Sequence, residues 1–129
     1  METAAASLRF LVIDDNEAIR MILTDLLADL GHTVVGEAED LKAAVEAYDR
    51  HKPDVVTLDL SLSAIGGGDG LTVLKTLRQK DPGAKVIIIS GNSQKKVYEQ
   101  LEKEGAAAFC PKPIKEKDLT AAIAWATRR

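Results

Sequence analysis

The stretch Val55-Val56-Thr57-Leu58-Asp59-Leu60 decides the fold. Four residues, three of them β-branched, run without a charge and then meet a carboxylate between two leucines. Unbroken rather than alternating apolarity marks a strand covered on both faces, and such strands belong to parallel sheets. Two further stretches have the same character, FLVI (10–13) and VIII (86–89). The strand-like runs are Leu8–Ile13, Thr33–Val35, Val55–Leu60, Lys85–Ile89 and Ala106–Cys110.

Helical stripes separate these runs. Ile19, Ile22, Leu23, Leu26, Leu27 and Leu30 form one, closed by Gly31. Leu41, Ala44, Val45 and Tyr48 form a second, ending before Pro53. Leu71, Leu74 and Leu77 precede Asp81-Pro82-Gly83, Val97 and Leu101 precede Gly105, and Leu119, Ala122, Ile123 and Ala126 form the last. Caps are expected at Asp15 or Asn16, at Asp40 and at Ser93. The order is βα five times, with right-handed crossovers. An α/β fold follows, a doubly wound five-stranded parallel sheet with helices on both faces.

Charge gathers at the ends of these strands. Asp14 and Asp15 follow the first run, Asp59 closes the third, Ser90 ends the fourth, and Lys112 follows the fifth. A parallel sheet brings its strand carboxyl ends to one edge, where ligands bind in such folds. Asp15 could equally be a helix cap and Ser90 a turn residue; a plain loop lysine is the lesser reading for Lys112, which stands between Pro111 and Pro113, with Lys112–Pro113 a candidate cis bond. Asp59 is harder to explain structurally, because a carboxylate inside an apolar run is costly without a partner. Two carboxylates about 4 Å apart repel by roughly 4 kcal/mol at an effective dielectric near 20. One lysine cannot offset three acids, so the pocket must protonate or take up a cation. Oxygen ligands alone favour a hard ion, Mg²⁺ before Ca²⁺. His32 and His51 fall at helix ends away from this edge, where surface or turn roles suit them.

Composition narrows the rest. The chain has 129 residues, 46% of them hydrophobic, and a net charge of −3. That suits one domain over 1–129, with a core of about 8–127 and a flexible segment 1–7. The near balance of charge, with no basic patch interleaved with aromatics, argues against nucleic acid. The lone Cys110 excludes an internal disulfide, fits a reducing compartment and suits a small apolar core position. No run reaches the length of a membrane span, and METAAAS lacks the basic residues of a secretory signal. A cytoplasmic protein is expected.

Asp14-Asp15, Asp59, Ser90-Gly91 and Lys112-Pro113, in this order and spacing, resemble the receiver domain of two-component response regulators, of the CheY-like type. The resemblance covers about Leu8 to Thr127. No single element of the set is specific; together they are. The resemblance implies a flavodoxin-like strand order of 2-1-3-4-5. It implies that Asp59 accepts a phosphoryl group from a histidine kinase or a phosphotransfer protein. Asp15, Asp59 and the Ser61 backbone carbonyl would hold Mg²⁺, with Asp14 acting mainly through water. Lys112 and Ser90 would contact the phosphoryl oxygens, and Phe109 occupies the aromatic switch position. Output would leave by the face of the fourth helix, fifth strand and fifth helix, including Lys95, Tyr98, Glu102, Phe109 and Trp125, toward a separate protein. A monomer or a phosphorylation-dependent dimer is implied. Ser61 and Asn92 would tune the phosphoryl lifetime.

The chain also departs from that pattern. Ser63 stands where a proline is common, and Gly70 comes about three residues late. Ser63–Asp69 therefore reads as an enlarged loop, either a tolerated insertion or a lid. Gly66–Gly70 is not a P-loop, because no Gly-Lys-Ser/Thr follows. Two competing functions are weaker. A phosphohydrolase would want a second acid where Ser61 stands, together with a cap domain. A receiver that works without phosphorylation would be expected to lack one of the acid, serine or lysine residues.

Overall fold

A computed structural model describes residues 7–60, 70–91 and 94–128. The elements alternate strictly: β1 (Arg9–Ile13), α1 (Glu17–Asp29), β2 (Thr33–Ala38), α2 (Leu41–His51), β3 (Val55–Asp59), α3 (Gly70–Lys80), β4 (Val86–Ser90), α4 (Lys95–Lys103), β5 (Ala108–Pro111) and α5 (Glu116–Ala126). All strand pairings are parallel, in the order β2-β1-β3-β4-β5. The doubly wound sheet expected from the continuous apolar runs is therefore the fold.

Two cores explain why those runs do not alternate. Leu11, Ile13, Val56, Leu58, Val86 and Ile88 face α2, α3 and α4, burying Tyr48, Leu74, Leu77 and Leu101. Phe10, Val12, Val55, Ile87, Ile89 and Cys110 face α1 and α5, burying Leu23, Leu27, Leu119 and Ile123. Each central strand thus buries both of its faces, and β3 and β4 are buried throughout.

The caps fall close to expectation. Asn16 Oδ1 accepts from the Ile19 amide and Asp40 Oδ1 from the Ala43 amide. Gly31 and Gly105 stop α1 and α4 at φ of 90° and 104°, a region open to glycine. α4 differs. Its N-cap is Gln94, which makes no side-chain cap bond; Ser93, the expected cap, lies outside the described residues. β2 runs three residues beyond the expected Val35. A bulge makes this possible, because Phe10 pairs with Val34 and Leu11 with Gly36, leaving Val35 as the extra residue. Residues 1–6 of the expected N-terminal segment and the Ser63–Asp69 loop also lie outside the described residues.

Candidate functional site

Strand ends place the site. β1 stops at Ile13, and Asp14 and Asp15 turn the chain into α1. Asp59 is the last residue of β3 and Ser90 the last of β4. Register puts Asp59 beside Ile89, one residue short of Ser90. Lys112 follows β5 directly and donates its amide to the Ser90 carbonyl at 3.0 Å. The Lys112–Pro113 bond is cis.

Asp14, Asp15 and Asp59 each contribute a carboxylate oxygen, and these oxygens lie within 4.8 Å of one another. Asp14 is 1% exposed and Asp59 3% exposed, while Asp15 is open to solvent. Lys112 Nζ donates to Asp59 Oδ1 at 3.0 Å. Ser90, 5% exposed, completes the group at this edge.

One atom in this cluster tests the fit of a cation. Asp14 Oδ1 accepts from the Asn16 amide at 2.8 Å, yet the buried Oδ2 has no hydrogen-bond partner among the described residues. A buried carboxylate oxygen without a donor is costly. Burial pushes the Asp14 carboxyl up to about 6, and repulsion from Asp59 and Asp15 adds to that, while the Asn16 amide and Lys112 oppose it. A hard divalent cation among these oxygens would relieve both the orphaned lone pair and the repulsion, and the all-oxygen donor set suits Mg²⁺.

The remaining residues singled out from the sequence fall as follows. Phe109 is half-buried on β5 and stacks on Tyr98 of α4, with centroids 4.6 Å apart. Trp125 is 58% exposed, with the Arg128 guanidinium 3.7 Å over its ring. Cys110 is buried, and burial pushes its thiol up to about 11. His32 accepts at Nδ1 from the Leu8 amide, and His51 ends α2 against Gly36; neither joins the acids. Ser61 and Asn92 lie outside the described residues.

Sequence reasoning passed over Arg20 and Glu37, which lie beside the acids. Arg20 donates to the Asp14 carbonyl and to the Glu37 carboxylate. The one local signal is a charged residue among the apolar positions of the α1 stripe, one turn after the cap.

Residues 10–124 match the family model described as the response regulator receiver domain. The chemotaxis protein CheY of Bacillus subtilis is 36% identical over 115 residues, spanning 89% of this chain and 93% of that protein. The signal receiver domain of the putative response regulator NarL from Mycobacterium tuberculosis superposes with a TM-score of 0.84 at 31% identity, over 97% of this chain and 100% of that one. The CheX–CheY–BeF3–Mg²⁺ complex from Borrelia burgdorferi matches with a TM-score of 0.83 at 27% identity, over 90% of this chain and 86% of that one.

Proposed function

The chain belongs to the response regulator receiver family, and on that premise we propose that it is a phosphorylation-dependent switch of a two-component phosphorelay. Members of the family are generally regulatory phosphoacceptors rather than enzymes. The observation that carries the reading is the meeting of three carboxylates within 4.8 Å, one of them held by Lys112. This edge has a nucleophile, a place for a metal and a fixed cation, and phosphoryl transfer asks for little else.

Asp59 is the acceptor. Its carboxylate oxygen bonds to the phosphorus of a phosphohistidine on a sensor kinase or phosphotransfer protein. The phosphorus–nitrogen bond breaks, and the electron pair leaves with the imidazole. Asp15 and Asp59, with the Ser61 carbonyl, would hold Mg²⁺, with Asp14 acting mainly through water, and the ion would neutralise charge on the phosphoryl oxygens. Lys112, directly after β5, would face the same oxygens, and the Ser90 hydroxyl would donate to one of them. Phe109 then changes its packing against Tyr98, so that a local charge event alters the α4–β5–α5 surface. That surface passes the signal to a separate protein. The exchange is placed in the cytoplasm, with the chain as a monomer or a phosphorylation-dependent dimer. No helix among the described residues is long and apolar enough to cross a membrane.

Intact mass after incubation with Mg²⁺ and phosphoramidate, beside Asp59→Asn, tests the reading. A single metal-dependent phosphoryl adduct, absent from the variant, is expected. No adduct on a protein that binds Mg²⁺ would replace the reading with a binding module that works unphosphorylated.

A further inference from the structure

Arg20 holds the Asp14-Asp15 turn from outside it. Its Nη1 donates to the Asp14 carbonyl at 2.6 Å and its Nε to Glu37 Oε1 at 2.9 Å. The Arg20 side chain is only 14% exposed, so water competes weakly for its bond to the Asp14 carbonyl, while the Glu37 side chain, 48% exposed, meets it from the solvent side. One planar group therefore ties the end of β1 to the end of β2. The bulge at Val35 makes this reach possible. It advances β2 by one residue, so that Glu37 pairs with Val12. Ala38 faces the α2–α4 core, and strand alternation turns Glu37 to the α1 side, where Arg20 lies.

The Asp14 amide donates to the Ala38 carbonyl, its Oδ1 accepts from Asn16, and its carbonyl accepts from Arg20. That carbonyl belongs to the peptide joining the two acids. Displacement of this planar peptide would carry the Cα atoms of both acids, and with them the carboxylates, away from Asp59. We propose that Arg20, braced by Glu37, is a positioning residue for the divalent-cation site: it locks the Asp14–Asp15 peptide so that both side chains meet Asp59. This inference rests on the reading that the three acids bind Mg²⁺.

Positioning and simple charge make opposite predictions. A guanidinium near a cation site repels the ion, so its removal should tighten binding if charge were all that mattered. Loss of a lock should weaken binding. Lysine separates the two further, because it keeps the charge but cannot send two fixed bonds in two directions.

Mg²⁺ titration calorimetry on the full chain, with melting in EDTA alongside, provides the test for Arg20→Lys, Arg20→Gln and Glu37→Gln. Second-sphere partners of metal ligands commonly contribute at least tenfold in affinity. Arg20→Lys and Arg20→Gln are expected to raise the Mg²⁺ Kd about tenfold. Glu37→Gln should shift it less, in the same direction. Adding Glu37→Gln to Arg20→Lys should cost little more, because the two act through one brace. Arg20→Lys binding like wild type, or Arg20→Gln binding more tightly, would overturn the inference. A lowered Tm in EDTA with an unchanged Kd would also overturn it, leaving Arg20 as a structural tie only. If Arg20→Gln fails to fold, Arg20→Lys and Glu37→Gln still decide the matter. Wild-type protein that takes up no Mg²⁺ would remove the underlying reading as well, and is recognisable because the variants are then not needed to see it.

Discussion

Gly70 opens α3 without a side chain because backbone already fills the space. A Cβ there would lie 2.7 Å from the Leu60 carbonyl oxygen, 2.8 Å from Leu60 Cα and 2.9 Å from the Asp59 carbonyl oxygen. None of these atoms can rotate aside, so Gly70→Ala must shift either α3 or the end of β3 that carries Asp59. We expect a loss of about 1–3 kcal/mol in urea unfolding, together with slower formation of the phosphoryl adduct. Normal stability with a normal rate would show that α3 has room to move. Thr57, two residues before Asp59, presents the opposite situation. It is fully buried, and its hydroxyl oxygen has no hydrogen-bond partner among the described residues. Thr57→Val keeps the shape and removes the unpaired group, so stability should rise by about 1 kcal/mol. A fall in the urea midpoint would mean that the hydroxyl is bonded in solution.

Among the elements, α2 and α3 are joined by polar contacts at the edge of an apolar seam, one of them the exposed Lys80–Asp49 ion pair at 3.2 Å. The Tyr48 hydroxyl donates to Asp81 Oδ2 at 2.8 Å, while Asp81 Oδ1 accepts from the Gly83 amide. Burial, reinforced by this bond, pushes the Tyr48 phenol up. The bond from Tyr48, followed by that from Gly83, holds the Asp81 carboxyl below its ordinary value. Tyr48→Phe should therefore raise the Asp81 pKa, read by carboxyl NMR titration, and cost about 1 kcal/mol. Adduct formation should be unchanged, because Asp81 follows the end of α3, at the sheet edge opposite Asp59. An Asp81 pKa that stays put would mean that the Gly83 amide alone sets it. Elements differ in how much of them local sequence reveals. β1, β3 and β4 were legible because strands buried on both faces leave unbroken apolar runs. β2 was legible only to Val35, because Gly36 and Glu37 interrupt apolarity on an edge strand with a bulge. The acids and Lys112 stood out because charge at the end of an apolar run is costly. Arg20 and Glu37 did not stand out, since their meeting depends on a bulge and on the phase of α1. The crowding at Gly70 is likewise a tertiary contact with no local signature.

For the whole molecule, the carboxylate cluster couples stability to pH and to metal in opposite directions. Asp14 has a folded-state pKa of about 6, above the 3.8 of an unperturbed carboxyl. The folded chain therefore holds this proton more tightly than the unfolded chain. The contribution is fully present below about pH 4 and is lost as pH rises through about 6, by an amount on the order of 2–3 kcal/mol. Two other groups act with the reverse sign. Burial lowers the His32 pKa from 6.5, which removes stability as pH falls below that value. Asp81 does the same below 3.8, outside the window. A wild-type melting profile in EDTA thus mixes Asp14 with His32, and the informative quantity is the difference from Asp14→Asn. That difference should be small at pH 4 and should grow toward pH 7, where the variant is the more stable protein. Mg²⁺ should invert the order. An ion that binds only the folded, ionised cluster adds about 2.7 kcal/mol at one hundred times its Kd, so wild-type Tm should climb with Mg²⁺ at pH 7. Asp14→Asn, lacking one anionic oxygen pair, should climb less. If the EDTA difference is flat from pH 4 to 7, Asp14 is already ionised without metal and the orphaned oxygen has found a donor in solution. If the variant gains as much from Mg²⁺ as wild type, Asp15 and Asp59 suffice to hold the ion. Asp14 would then be a structural residue at the end of β1, and its burial would owe nothing to the metal.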